Sequence, residues 1–168
     1  MRETPEESQG RTAGLLWPKN RGELQQAVIA ALREPTGNPD LEPDEEGDIG
    51  IRFGGALVWV RVNRARPAVD IFSHVVNGAA PTPALLEALN ELNRTHCPAA
   101  FFATDSTVIA TVQIDCDPFS PPVLVRLVGY LGRLVDEVDE DLSARFGGRT
   151  AFADGHAPEA NASCERPN

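Results

Sequence analysis

The sequence predicts an α+β domain: a helix, a three-stranded antiparallel meander, a second helix, a β-hairpin and a third helix. Apolar residues recur at helical spacing in three segments that each follow a capping residue. Shorter segments between them alternate with a period of two, as strands do. The strands are apolar on both faces, although one apolar face is enough to hold the helices of a domain. We therefore expect one sheet face to carry the core and the second to be used otherwise.

Composition narrows the class of protein. A chain of 168 residues is long enough for one domain with a real core. Its net charge of −10 argues against partners with anionic surfaces, so we expect neither nucleic acid nor membrane binding. The first residues lack an apolar run, which predicts a cytoplasmic protein. The cysteines, Cys97, Cys116 and Cys164, form no CxxC pair and are expected to be core fillers or bystanders.

Both ends of the chain are predicted to be flexible tails. Residues 1–20 are rich in Glu, Pro, Gly and Ser, and residues 149–168 show no periodicity, which leaves 21–148 as the domain. The apolar island at Leu15, Leu16 and Trp17 is expected to dock on its own domain rather than on a partner.

The first helix is predicted to begin after Asn20, with Glu23 reaching back as in a capping box, and to end at Pro35. The loop that follows it contains six acidic residues before Ile49. Their spacing lacks the alternating ligands and central glycine of a calcium loop. We interpret the segment as a solvated acidic loop and predict no metal site and no cofactor.

The first hairpin has a readable register. Gly54-Gly55 suits a two-residue turn that needs positive φ. The predicted partners are Phe53 with Ala56, Arg52 with Leu57, Ile51 with Val58, Gly50 with Trp59, and Ile49 with Val60. The indole of Trp59 can then lie over the Gly50 backbone. In the third strand, Val69, Ile71, Ser73 and Val75 face the core, and Asp70, Phe72 and His74 face the other side.

The second helix is predicted to begin at Thr82 and to stop before Pro98. It carries four leucines over two turns, more than a peripheral helix needs, and we predict a homodimer that uses part of this set: Leu85, Leu86, Leu89 and Leu92. The alternative is that all four belong to the core of their own chain. Asp105-Ser106 is the predicted turn of the last hairpin, which pairs Phe102 with Ile109.

The third helix is predicted to run from Ser120 to Phe146 and is strongly acidic near its end. Acids so close to a helix C-terminus oppose the macrodipole. We interpret them as a solvated face that could be neutralised without loss of the fold, and they are Asp136, Glu137, Asp139, Glu140 and Asp141.

The candidate binding site is the second sheet face. It combines aromatic and aliphatic anchors with a polar rim that contains arginine, as protein interfaces do. The predicted peptide-binding residues are Arg52, Leu57, Trp59, Arg61, Asp70, Phe72, Phe102 and Ile109. Two alternatives stay open: helices could cover both faces, or the segment with Trp17 could fold over this one.

Catalysis is a weaker hypothesis. Asp70 and His74, with Asp105 or Asp115, could form a base and its orienting partner. The sequence contains no nucleophile elbow, HExxH motif or phosphate-binding loop. We therefore predict no enzymatic activity and no catalytic residues.

The order of elements and three segments resemble a known family. "LLEALNELN" precedes the hairpin "FFATDSTVIATVQID", and "EDLSARFGG" closes the domain. Over residues 21–148 the chain resembles the YbjN-like relatives of class I (CesT-type) type III secretion chaperones. The resemblance implies the secretion-chaperone-like α+β fold, a homodimer, an acidic surface and binding of an extended client polypeptide without nucleotide hydrolysis. A regulatory or adaptor domain that binds one folded partner is the alternative function.

Overall fold

The computed structural model describes residues 14–150. Its elements follow the predicted order, and their bounds are α1 (Arg21–Thr36), β1 (Asp48–Phe53), β2 (Ala56–Val62), β3 (Ala68–Asn77), α2 (Pro83–Thr95), β4 (Ala100–Ala103), β5 (Thr107–Asp115) and α3 (Pro121–Phe146). The predicted α+β class and element order are confirmed.

The strands form one antiparallel sheet in the order β1-β2-β3-β5-β4. Each pair predicted for the β1–β2 hairpin is observed, and so is the pairing of Phe102 with Ile109 in the β4–β5 hairpin. Gly54 has a φ of 54°, the left-handed conformation that the tight turn requires. The register of both hairpins could therefore be predicted from their turns.

Strand β3 lies at the centre of the sheet and alternates as predicted up to His74. Beyond it the register shifts between His74 and Val76, which marks a β-bulge at Val75. Val75 and Val76 are consecutive and both are fully buried. The bulge therefore adds an apolar residue to the core side near the end of the strand.

Helix α1 begins as predicted and ends later. The Asn20 side chain accepts a hydrogen bond from the Glu23 N–H at 2.9 Å. The Glu23 carboxylate accepts from the Lys19 N–H and from the Asn20 side-chain amide, not from the Asn20 N–H as in a capping box. Pro35 lies inside the last turn, so the prediction that it ends the helix is wrong. The helix ends at Gly37, whose φ of 64° allows its N–H and that of Asn38 to bond the last carbonyls.

The core lies between one face of the sheet and the helices. The strand residues on that face pack with the stripe of α3, including the fully buried Leu124 and Leu131. The closest approach is at Gly132, where an added Cβ would lie 2.4 Å from carbons of the Phe53 ring. Only glycine permits α3 to press so closely against the end of β1.

The acidic end of α3 is only partly a solvated face. Asp139 is 3% exposed. Asp136 is exposed, but its Oδ1 accepts a hydrogen bond from the Gly55 N–H at 2.6 Å and so ties α3 to the β1–β2 turn. The interpretation of these acids as a solvated face is therefore wrong for Asp139, and Asp136, although exposed, has a structural contact. That they can be neutralised without loss of the fold stays a prediction.

The segments that flank the elements are tied down by backbone pairing. Leu16 forms an isolated antiparallel bridge with Phe119, and Arg149 forms one with Asn77. The side chain of Trp17 is 55% exposed. Most of both predicted tails, including Cys164, lies outside the described residues. No helix within residues 14–150 is long and apolar enough to cross a membrane.

Candidate functional site

The second sheet face carries a row of large apolar side chains from neighbouring strands. Register places Trp59 opposite Phe72, and Ile109 between His74 and Phe102. Leu57, Trp59 and Phe72 are half-buried, and Phe102 is 43% exposed. None of these side chains belongs to the main core cluster. The predicted anchors are thus brought together, and most of them are accessible.

Ile109 differs from the other anchors because only 4% of it is exposed. Its cross-strand partners are His74 and Phe102, which are both large. Ile109 therefore forms the floor of the row rather than a direct contact surface.

Trp59 is positioned by a glycine on the adjacent strand. An added Cβ at Gly50 would lie 3.0 Å from Cζ3 of the indole, so the ring lies against the bare backbone of β1. An aromatic ring over a glycine in a cross-strand pair covers the peptide backbone and holds its own rotamer. This contact orients the anchor before any partner binds.

Arg61 links the polar and apolar parts of the face. Its guanidinium forms two hydrogen bonds to the buried carboxylate of Asp48, the Nε–Oδ1 distance being 2.7 Å, and its Cζ lies 5.0 Å from the centroid of the Phe72 ring. A bidentate ion pair and a cation–π contact hold the planar group in one orientation. The arginine therefore borders the row as a fixed rather than a mobile charge.

Asp70 is 7% exposed and is held within a polar network. It accepts hydrogen bonds from the side-chain amides of Asn63 and Gln113, and Gln113 accepts in turn from Arg66. Buried carboxylates need such donors because desolvation is costly. Asp70 therefore supports the rim from beneath, and a partner would meet Gln113 and Arg66 first.

The predicted base and its partner are not joined. Asp70 bonds to the amides just described, whereas the ring of His74 stacks near Phe72 at a centroid distance of 6.2 Å. Burial and the nearby Arg61 charge lower the pKa of His74 below its ordinary value. The imidazole beside the Phe72 ring therefore extends the row of this sheet face.

The two edge strands of the sheet, β4 and β1, form different hydrogen bonds with side chains outside the sheet. At the β4 edge, the Asn93 side chain bonds both the N–H and the C=O of Phe101, at 2.5 and 3.0 Å. At the β1 edge, Asp44 bonds the N–H and C=O of Asp48. The side-chain amide of Asn93 thus occupies the backbone groups that a neighbouring strand would otherwise bond. The sequence does not predict this role, because Asn93 lies in a helix.

Within residues 14–150, no further strand pairs with the β1 edge beyond Asp48. Phe53 and Ala56 flank a two-residue turn and form a hydrogen-bonded pair, so alternate residues such as Gly50 direct their N–H and C=O away from β2. No described residue forms a hydrogen bond to either outward group of Gly50. Such an edge can accept another strand.

A groove lies beside this open edge. It is formed by the end of α1, strand β1 and the first half of α3, with a volume of about 670 Å³. Its floor is apolar and includes the buried Leu32, Ile51 and Val128. We call it the β1 groove; the sequence did not indicate it, because residues from three separate segments form it.

Comparison with protein families identifies the family of this chain. A family model described as T3SS (YopN, CesT) and YbjN peptide-binding chaperone 1, abbreviated TY-Chap1, matches residues 22–154. The chain belongs to the TY-Chap1 family. The resemblance predicted from the order of elements and the leucine-rich segment is confirmed.

Solved structures share the TY-Chap1 fold of this chain. A chain in the crystal structure of the ExsC-ExsE complex superposes with a TM-score of 0.59 at 16% identity, over 73% of this chain and 95% of that one. A chain in the HopA1-SchA chaperone-effector complex gives a TM-score of 0.56 at 13% identity, over 70% and 94%. Among curated proteins no significant match is found.

The leucines of α2 separate into two groups in this TY-Chap1 domain. Leu85 and Leu89 are 0% and 2% exposed and lie in the core of their own chain. Leu92 is half-buried against that core, and Leu86 is 44% exposed. Of the predicted dimer residues, Leu86 is the most exposed to solvent, and Leu92 is partly exposed.

Proposed function

We propose that this TY-Chap1 domain binds an extended client polypeptide without catalysis and shields the apolar segments of that client. The observation that carries the proposal is the row of accessible aromatic side chains on the second sheet face, bordered by the fixed charge of Arg61. Membership in a family described as peptide-binding supports it.

The aromatic row has the composition of a binding hot spot. Trp59, Phe72 and Phe102 lie on three different strands of one face, and each has a partly exposed ring. Aromatic anchors surrounded by a polar rim supply most of the binding energy in protein interfaces. The bonds that fix Arg61 reduce the side-chain entropy lost on binding. An apolar client segment would therefore bind a surface that is already ordered.

The open β1 edge supports a second mode of contact. The N–H and C=O of Gly50 point outward at the side of the sheet where the β1 groove begins. A client segment in extended conformation can bond such groups while its side chains enter the groove. We propose strand addition here because the opposite edge is occupied by Asn93.

We further propose a homodimer in the cytoplasm, with Leu86 and part of Leu92 at the subunit contact. An exposed leucine on an amphipathic helix loses unfavourable hydration when a second copy covers it. The cytoplasmic location rests on the sequence alone.

Selection of random peptides on the immobilised protein tests the function. We expect enrichment of extended sequences rich in apolar residues, and weaker capture of the same peptides by a Trp59→Ala variant. Glu140→Gln, at an exposed position of α3 outside this face, is the control and should capture them as the native protein does. Failure to enrich any peptide, with binding only to one intact folded protein, would establish the adaptor function instead.

A further inference from the structure

The β1 groove has an unusual charge for this protein. The chain has 25 acidic and 15 basic residues, yet the groove is lined by three arginines and no acid. They are Arg52 on β1 and Arg126 and Arg133 on α3. A positive cavity on an acidic molecule concentrates anionic ligands locally and repels cationic ones.

Two of these arginines are not used by the fold. Arg126 and Arg133 are exposed and form no ion pair with another residue in the range 14–150. Asp136, one turn beyond Arg133, is bound to the Gly55 N–H instead. The two arginines at the rim are therefore not held in ion pairs by acids of the described residues.

The positions of Arg126 and Arg133 in α3 place both charges beside the β1 groove. Arg126 and Arg133 are seven residues apart, which places them on one face of α3 about 10 Å from each other along the axis. Gly129 lies between them and also lines the groove. Since glycine has no side chain, the Arg133 guanidinium can lie over Gly129, where an added Cβ would be 3.4 Å from one of its nitrogens.

We infer that the β1 groove selects client segments in which carboxylate side chains alternate with apolar ones, Arg126 and Arg133 being the residues that determine this specificity. The inference rests on the proposed peptide-binding function and names the class of peptide. Apolar side chains fill the floor formed by Leu32, Ile51 and Val128, while Asp or Glu side chains reach the arginines at the rim. Charge complementarity at a rim sets specificity and association rate more than total affinity.

Two labelled peptides that share the same apolar residues, with Glu in one and Lys in the other at the remaining positions, test the inference by fluorescence anisotropy. We expect the native protein to bind the Glu peptide about tenfold more tightly than the Lys peptide, since two exposed charge pairs supply roughly this factor. High salt should reduce the difference.

The variant R126E/R133E should reverse the preference, and R94E/R145E, with the same net charge outside the groove, should retain it. Circular dichroism and the urea midpoint establish that each variant is folded. Equal affinity for both peptides, unchanged preference in R126E/R133E, or no binding of either peptide would overturn the inference. The proposed function fails separately, when the native protein enriches no peptide from a random library.

Discussion

The indole of Trp59 lies over Gly50 so closely that a single added methyl would lie 3.0 Å from its Cζ3. The glycine therefore acts as the seat of the aromatic anchor, and the anchor covers backbone that would otherwise be exposed at an edge strand. Trp59 is half-buried and lies outside the main core cluster. The exposed part of its ring can therefore be buried against a partner and contribute free energy of binding.

Replacement of Trp59 by Ala is expected to weaken binding of a selected peptide by about 2 kcal/mol, the scale of an aromatic hot spot. The urea midpoint should change little, because the ring contributes a surface rather than the core. Both quantities can be measured on one sample. A stability loss of roughly 3 to 5 kcal/mol, the cost of a core cavity, would instead show that Trp59 is a core residue.

The two glycines in the middle of α3 are expected to respond in opposite directions to alanine. Gly132→Ala should cost about 1 to 3 kcal/mol of stability, because its methyl would overlap the Phe53 ring at 2.4 Å. Gly129→Ala meets only the end of the Arg133 side chain at 3.4 Å and should gain up to about 1 kcal/mol from helix propensity. Chemical denaturation of the two variants gives the comparison. Equal effects would contradict the close helix–sheet approach.

Asp136→Ala is expected to lower stability by about 1 kcal/mol, since it removes a charge-assisted hydrogen bond to the turn at Gly55. Glu137→Ala removes the same charge from the next, exposed position and serves as the control. Hydrogen exchange at the Gly55 amide should accelerate only in the first variant. If both variants unfold at the same urea concentration, Asp136 does not tie the helix to the hairpin.

Asp139→Asn is expected to stabilise the domain at neutral pH. Burial, with the charges of Asp136 and Glu140, raises the pKa of Asp139 above its ordinary value. The folded state therefore binds this proton more tightly than the unfolded state, and stability falls as pH rises from the ordinary carboxyl value through the raised one.

Asparagine cannot ionise, so the advantage of the variant should be present at neutral pH and vanish below the ordinary pKa. Urea midpoints measured across acidic to neutral pH give the test, with Glu140→Gln as the exposed control. A constant difference between variant and native protein at every pH would exclude ionisation as the cause.

Leu86→Glu is expected to convert the proposed homodimer to a folded monomer, because a charge would replace the exposed apolar contact. Leu85→Ala, one residue earlier and fully buried, should instead cost roughly 2 to 5 kcal/mol of stability. Sedimentation at roughly tens of micromolar separates the species, since assembly depends on protomer concentration. A native protein that sediments only as a monomer there would remove the dimer proposal.

The register of both hairpins could be predicted because a two-residue turn and the apolar alternation specify it together. The end of α1 could not be predicted from Pro35, because the helix continues through this proline and is capped by the left-handed Gly37 two residues later. The row of aromatic side chains on the second sheet face could be predicted from the alternation of residues along each strand. The β1 groove and the Asn93 contact to Phe101 could not, because both depend on how helices lie against strands that are distant in sequence.

The bonds from Asp44 to both backbone groups of Asp48 close one end of the β1 edge. The part of β1 beyond this closure runs from Gly50 to Phe53, about 13 Å of strand at 3.3 Å per residue. A stretch so short suits one brief guest segment, but it offers too few hydrogen bonds for copies of the sheet to stack edge to edge. The contact from Asp44 thereby shortens the strand edge with which a second copy could pair.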